Sequence, residues 1–288
     1  MIHTTYHLEL PGSQPYARLV TYIQEYSGEM AIRKRPLVIM CPGGGYEYTS
    51  DREAEPIVNQ LLAMGYHAAI LYYSVKPAVF PTALTELAAS VLLVRENAEA
   101  WHVDEDAVLV MGGSAGGHLA ASYACFWNED WVADAIGYEG DDHEILRPNG
   151  QILMYPVITS GEYAHRGSFD ALLGPDKDDP DMLKKMSLEY RVNADTPPAF
   201  IWHTYEDGSV PVENSLFYIT ALRKAGINAE LHIFPKGGHG LALADETTLS
   251  WWSGSEICEA PAAWVGLLKT WLRSNYSFTF EFNPEREN

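Results

Sequence analysis

Basic residues are scarce in this 288-residue chain: 19 Lys+Arg stand against 39 Asp+Glu, a formal charge of −20. So acidic a chain is no partner for nucleic acid, because phosphates are held by clustered Lys and Arg. An anionic membrane surface is disfavoured for the same reason. A neutral or cationic small molecule is left as the natural partner. Cysteine is rare too. Cys41, Cys125 and Cys258 are odd in number and lack a short paired spacing, which argues against a disulfide framework and against a zinc site. Each reads as a small buried apolar residue. No His/Cys/Glu spacing suggests a catalytic metal, and no cofactor is expected. Long apolar runs are missing, so no membrane span is expected. The opening residues carry no basic n-region and no apolar h-region, so a cytoplasmic location is the expectation. Oligomeric state is left open, a homo-oligomer included.

Against these absences, 47% of the residues are hydrophobic and 20% charged, the proportions of a folded globular chain. Repeats and long linkers are missing, so one domain over 1–288 is expected. Continuous apolar runs at 37–41, 67–73, 107–111, 151–155 and 199–203 read as strands covered on both faces. The run 229–234 alternates more, and 7–10 with 17–24 reads as an antiparallel edge pair. Helical patterns fall between them at 53–64, 82–100, 115–127, 211–225 and 262–273. Strand and helix in alternation predict an α/β fold: a doubly wound, mostly parallel sheet with an antiparallel N-terminal edge. Three stretches do not fit that alternation and are expected as rim insertions, at about 128–149, 159–198 and 241–260. The first holds seven acids between 129 and 144. In such folds the C-terminal ends of the strands face the ligand.

The most informative segment is Gly112-Gly113-Ser114-Ala115-Gly116, between an apolar strand and a helix of small residues. It is a G-x-S-x-G turn in the setting that motif requires, and it makes Ser114 a candidate nucleophile. Flanking side chains would crowd such a strained turn, and the helix N-terminus beneath Ser114 favours developing negative charge. A serine hydroxyl needs a base. His239 follows the last strand between glycines, which lets a loop present an imidazole. His118 lies close in the elbow helix, as a supporting residue. His203 reads as a hydrogen-bonded core histidine and His165 as exposed. The base needs a carboxylate to hold its tautomer. Asp207, after strand 199–203, is preferred over its neighbour Glu206. Cys41-Pro42-Gly43-Gly44-Gly45-Tyr46 follows the first buried strand, and its glycines allow backbone N–H groups to converge on one oxygen. It lacks the Gly-Lys-Ser/Thr ending of a phosphate loop. Together with the N–H of Ala115 it forms an oxyanion hole.

These motifs, with Thr196-Pro197-Pro198, His203-Thr204-x-x-Asp207-x-x-Val210-Pro211 and Gly237-Gly238-His239-Gly240, resemble the α/β-hydrolase esterases of the acetyl esterase and acetylxylan-esterase-like group. Those carbohydrate esterases are relatives of the hormone-sensitive-lipase type. The resemblance runs from about Leu37 to Arg273. It implies an α/β-hydrolase fold, a triad of Ser114, Asp207 and His239, and an oxyanion hole at Gly44, Gly45 and Ala115. Lipase-like relatives carry His-Gly-Gly-Gly where Pro42 stands here. That difference, and the lack of their N-terminal cap helices, shift the expected substrate from lipids toward acylated sugars.

The expected reaction is therefore serine-dependent hydrolysis of short acyl, mainly acetyl, esters on sugars or xylo-oligosaccharides. Tyr46, Tyr155, Tyr205, Trp251 and Trp252 are the aromatic candidates for substrate contact, with Tyr46 as a wall of the acyl pocket. Rival readings are a serine peptidase or an aryl formamidase on the same fold, and a non-catalytic binding protein on this scaffold.

Overall fold

A computed structural model describes residues 1–251 and 257–282. Strands β1 (Ile2–His7), β2 (Arg18–Ile23), β3 (Ile32–Cys41), β4 (His67–Tyr72), β5 (Val103–Gly113), β6 (Gly150–Met154), β7 (Ala199–Thr204), β8 (Ala229–Phe234) and β9 (Thr279–Phe280) form one sheet. Their order is β1-β2-β4-β3-β5-β6-β7-β8, with β9 added on β3. The pairs β1–β2 and β2–β4 are antiparallel, and β3 to β8 run parallel. This is the doubly wound, mostly parallel sheet with an antiparallel N-terminal edge.

The continuous apolar runs have a direct cause. Successive side chains of a strand point to opposite faces, and both faces of this sheet are covered. Leu37, Ile39 and Cys41 of β3 join the core under helices Thr82–Glu96, Ser114–Phe126 and Glu213–Lys224. Val38 and Met40 join the core under helices Glu55–Met64 and Trp264–Asn275. Burying one Leu or Ile side chain in this way contributes about 1.5–3 kcal/mol. Among the described residues no helix is long and apolar enough to cross a membrane.

Several boundaries differ from expectation. β3 and β5 begin earlier than 37 and 107, because their polar first halves pair with β9 and with each other. The edge strand is Ile2–His7 rather than 7–10. The pattern at 82–100 breaks at Asn97, whose side chain donates to the Leu93 carbonyl (2.8 Å) and separates Thr82–Glu96 from the short turn Ala98–Trp101. At 53–64 the helix starts only at Glu55. A 3-10 turn, Asp51–Glu53, precedes it, and Ala54 lies outside helical geometry at φ −97°, ψ −106°.

One expected rim must be corrected. Segment 128–149 does not follow a strand; it joins the end of helix Ser114–Phe126 to the start of β6. That helix descends from the C-terminal end of β5, so the segment returns the chain at the opposite end of the sheet from Ser114. There the Asn149 side chain accepts from the Val108 N–H (2.9 Å) and from Arg95 (2.9 Å). Segment 159–198 does leave the C-terminal end of β6, and it carries helices Arg166–Leu173 and Pro180–Lys185. In 241–260 the first part is not rim either: Leu241 to Ala244 are buried against Trp264.

Candidate active site

Ser114 opens helix Ser114–Phe126 directly after β5, at φ 54°. A non-glycine residue in this left-handed region costs about 1–3 kcal/mol and persists only where the surroundings enforce it. The enforcement is steric. A methyl carbon on Gly112 would lie 2.1 Å from the Gly116 carbonyl oxygen, and one on Gly116 would lie 2.0 Å from that of Cys41. The helix therefore packs backbone to backbone against the ends of β3 and β5. The serine is pushed outward above the sheet.

His239 reaches Ser114 from the loop after β8. Its Nε2 accepts the Ser114 hydroxyl at 2.7 Å, and its Nδ1 donates to Asp207 Oδ2 at 2.7 Å. The other oxygen of Asp207 accepts the backbone N–H groups of Ser209 (3.0 Å) and Val210 (2.9 Å). His203 lies behind the row, fully buried. Its Nε2 donates to the Val210 carbonyl at 2.9 Å with Asp207 Oδ2 at 3.3 Å, and its Nδ1 accepts from Ser215 at 2.8 Å. Burial alone would raise the Asp207 pKa. The hydrogen bonds from His203, His239 and Val210 outweigh it and hold the carboxyl well below its usual range. The rival Glu206 points to solvent and pairs with Lys236 at 2.5 Å.

The glycine loop after β3 lies beside this row. Gly44 and Gly45 take φ of 136° and 65°, conformations open to glycine. Several neighbouring groups of the turn are paired. Gly43 N–H donates to Glu53 (2.8 Å), the Gly43 carbonyl accepts from Ser50 (2.8 Å), and the Gly44 carbonyl accepts from Glu47 (3.0 Å) and Tyr48 (3.2 Å). The N–H groups of Gly44 and Gly45 have no acceptor among the described residues. The Ala115 N–H, in the first helical turn, has no intrahelical partner. The structure thus brings all six expected chemical residues, Ser114, Asp207, His239, Gly44, Gly45 and Ala115, to one place.

The expected aromatic contacts divide. Tyr46 is buried, with its hydroxyl on His118 Nδ1 at 2.9 Å, while His118 Nε2 donates to the Met186 carbonyl at 2.9 Å. Burial pushes the His118 pKa down to about 4, so it is a neutral anchor for the glycine loop. Tyr155 is also buried, edge-on to His239 with ring centroids 5.2 Å apart. Neither ring therefore presents an exposed face to a sugar. Tyr205 and Trp251 are 71% and 90% exposed. Trp252 lies outside the described residues.

Sequence reasoning missed two residues here. Glu53 is buried between the loops. His165, read as exposed, is half-buried and bonds Ser168 Oγ through Nδ1 at 2.8 Å. Burial, and then the neighbouring His239, push its pKa down. It therefore stands within electrostatic reach of the row. Among the described residues no group of three or more His, Cys, Asp or Glu is placed to hold a metal ion.

A Ser–His–Asp row at the C-terminal end of a parallel sheet, beside unpaired loop N–H groups, defines the α/β-hydrolase class. A family model described as BD-FAE matches residues 24–222, and the chain belongs to this family of α/β-hydrolase esterases. It is 37% identical over 232 residues to endo-1,4-beta-xylanase B of Butyrivibrio fibrisolvens, which covers 77% of this chain and 35% of that protein. It is 30% identical over 232 residues to an acetylxylan esterase of Xylanibacter ruminicola, covering 79% of this chain and 44% of that protein. The chain thus spans less than half the length of these two relatives. Among solved structures, the acetyl ester-xyloside bifunctional hydrolase of Caldicellulosiruptor lactoaceticus superposes with a TM-score of 0.78 at 36% identity. That match covers 92% of this chain and 91% of the other.

Proposed function

We propose that the chain hydrolyses short-chain carboxylic esters, with acetyl groups on sugars or xylo-oligosaccharides as the natural substrate class. The observation that carries this reading is the 2.7 Å contact of Ser114 with His239, itself 2.7 Å from Asp207, next to the unpaired N–H groups of Gly44 and Gly45. The acetyl and sugar parts draw support from the acetylxylan esterase and the acetyl ester-xyloside hydrolase among the similar proteins.

In the proposed reaction His239 Nε2 takes the Ser114 proton as Oγ attacks the acyl carbonyl. The oxyanion forms against the N–H groups of Gly44, Gly45 and Ala115; one such donor contributes about 3–4 kcal/mol to the transition state. The bond to the sugar oxygen breaks, and His239 returns its proton to that oxygen. Water then attacks the acyl-enzyme with His239 again as base, and the acid is released. Asp207 stays ionised and holds the imidazole tautomer. Tyr205 and Trp251 offer exposed rings on which a pyranose can stack.

The test is release of acetate from a panel of acetylated xylo-oligosaccharides, set beside acetyl, butyryl and octanoyl p-nitrophenyl esters, with Ser114→Ala as control. Acetyl preference and deacetylation of the oligosaccharides are expected. Preference for octanoyl would refute the sugar-acetate reading, and full activity of Ser114→Ala would refute the serine mechanism.

A further inference from the structure

We infer that Glu53 is a positioning residue: its buried carboxylate ties the oxyanion loop to the loop that carries His239. The inference rests on the hydrolase reading above. Glu53 is 3% exposed. Its Oε2 accepts the Gly43 N–H at 2.8 Å, and its Oε1 accepts the Tyr155 hydroxyl at 2.9 Å. The Tyr155 oxygen accepts in turn the N–H of Ala242 at 3.0 Å. One chain of three hydrogen bonds therefore spans from the first glycine of the oxyanion loop to the segment just beyond His239. The Tyr155 ring, held by that chain, packs edge-on against the imidazole.

The fit is too close to be incidental. A methyl carbon on Gly113, the residue before Ser114, would lie 2.3 Å from Glu53 Oε2, and one on Gly43 would lie 2.8 Å from it. One on Gly240, the residue after His239, would lie 4.0 Å from Oε1. The carboxylate is lodged behind the elbow where all three loops converge. An acid at the start of a helix ordinarily faces solvent. Here the break at Ala54 turns it inward, and a buried carboxylate persists only with its hydrogen bonds made. Gly43 is the hinge whose orientation aims the next two N–H groups. With Glu53 on its N–H and Ser50 on its carbonyl, that hinge cannot turn.

Glu53→Gln keeps the shape but supplies an N–H where the Tyr155 hydroxyl needs an acceptor. Tyr155→Phe removes only the hydroxyl and serves if the first variant does not fold. Wild type, both variants, their double and Ser114→Ala are compared on p-nitrophenyl acetate. Folded fraction is measured by circular dichroism, and a trifluoromethyl ketone serves as oxyanion mimic. Each single variant is expected to lower kcat per folded molecule about 100-fold with KM changed less than about threefold. Ketone affinity should fall in step with kcat/KM. The double variant should be no worse than the poorer single, because both act through one chain of bonds. A folded variant with kcat within about twofold of wild type overturns the inference, leaving Glu53 a stabilising residue only. Equal hydrolysis by wild type and Ser114→Ala overturns the hydrolase reading instead, and this inference with it.

Discussion

Gly116→Ala isolates the close approach that builds the elbow. Gly116 lies in the first turns of helix Ser114–Phe126, and its φ is not among the positive ones, so alanine meets no backbone strain there. By intrinsic propensity the change should stabilise a helix by about 1 kcal/mol. The packing reverses that sign. The new methyl carbon would lie 2.0 Å from the Cys41 carbonyl oxygen and 2.7 Å from that of Pro42. Both are backbone atoms at the end of β3, and neither can rotate away. Opening the contact to about 3 Å requires the helix and β3 to part by roughly 1 Å. Overpacking of this kind costs about 1–3 kcal/mol; its upper end, less the propensity gain, leaves a loss of about 2 kcal/mol and several degrees of Tm. Function should suffer more. Ser114 rides on the helix, whereas Gly44 and Gly45 ride on the chain leaving β3. Parting the two by about 1 Å misplaces the oxyanion donors and should lower kcat about 100-fold. The assay pairs thermal melts with p-nitrophenyl acetate turnover. Gly266→Ala is the control, because its methyl would meet nothing within 4 Å in helix Trp264–Asn275; it should stabilise modestly and leave kcat unchanged. A Gly116→Ala protein with raised Tm and wild-type kcat would refute the reasoning.

Ser114→Gly should abolish esterase turnover while relieving the φ of 54°, raising stability in urea by about 1 kcal/mol; a loss of stability would show that the serine is not strained. The depressed pKa of Asp207 has a definite sign in linkage. Its contribution is fully present above the unfolded value of 3.8 and is lost as pH falls toward the folded one. The stability gap between wild type and Asp207→Asn should therefore narrow by about 1 kcal/mol between pH 6 and pH 3 in denaturant titrations; a constant gap would contradict the assignment. Cys41 and Cys125 are buried, and burial pushes the Cys125 thiol up to about 11 and Cys41 higher still. Iodoacetamide at pH 8 should label Cys258 first and the other two only on unfolding, read by peptide mass spectrometry. Tyr205→Ala should raise KM for an acetylated oligosaccharide about tenfold and leave p-nitrophenyl acetate untouched; equal effects on both would place the ring elsewhere than on the sugar.

What was legible in the sequence and what was not divides along a physical line. Glycine records a steric requirement at its own position. Gly112, Gly116, Gly44 and Gly45 therefore disclosed the elbow and the loop, because each marks a place where a side chain would collide or φ turns positive. Apolar runs disclosed the middle of β3 to β7 for the same local reason. The first halves of β3 and β5 were hidden, since they are polar and Lys34 of β3 finds its partner in Thr279 of β9, far along the chain. Polar partnerships are non-local in the same way. Glu53 reads as an ordinary acid at a helix start, and nothing nearby reveals that its partners are Gly43, 10 residues away, and Tyr155, 102 residues away. Tyr155 reads as a ring free to stack, yet a φ of 37° at the end of β6 accompanies a hydroxyl turned inward on Glu53 and Ala242. The acids at 129–144 read as a rim until the descent of helix Ser114–Phe126 carries them toward the far end of the sheet. Their −7 share of the net charge therefore lies apart from the Ser114 cleft. Solvent and salt screen charge over about 8 Å at physiological ionic strength, so at the cleft these seven acids count for less than the one buried carboxylate of Asp207, 2.7 Å from His239.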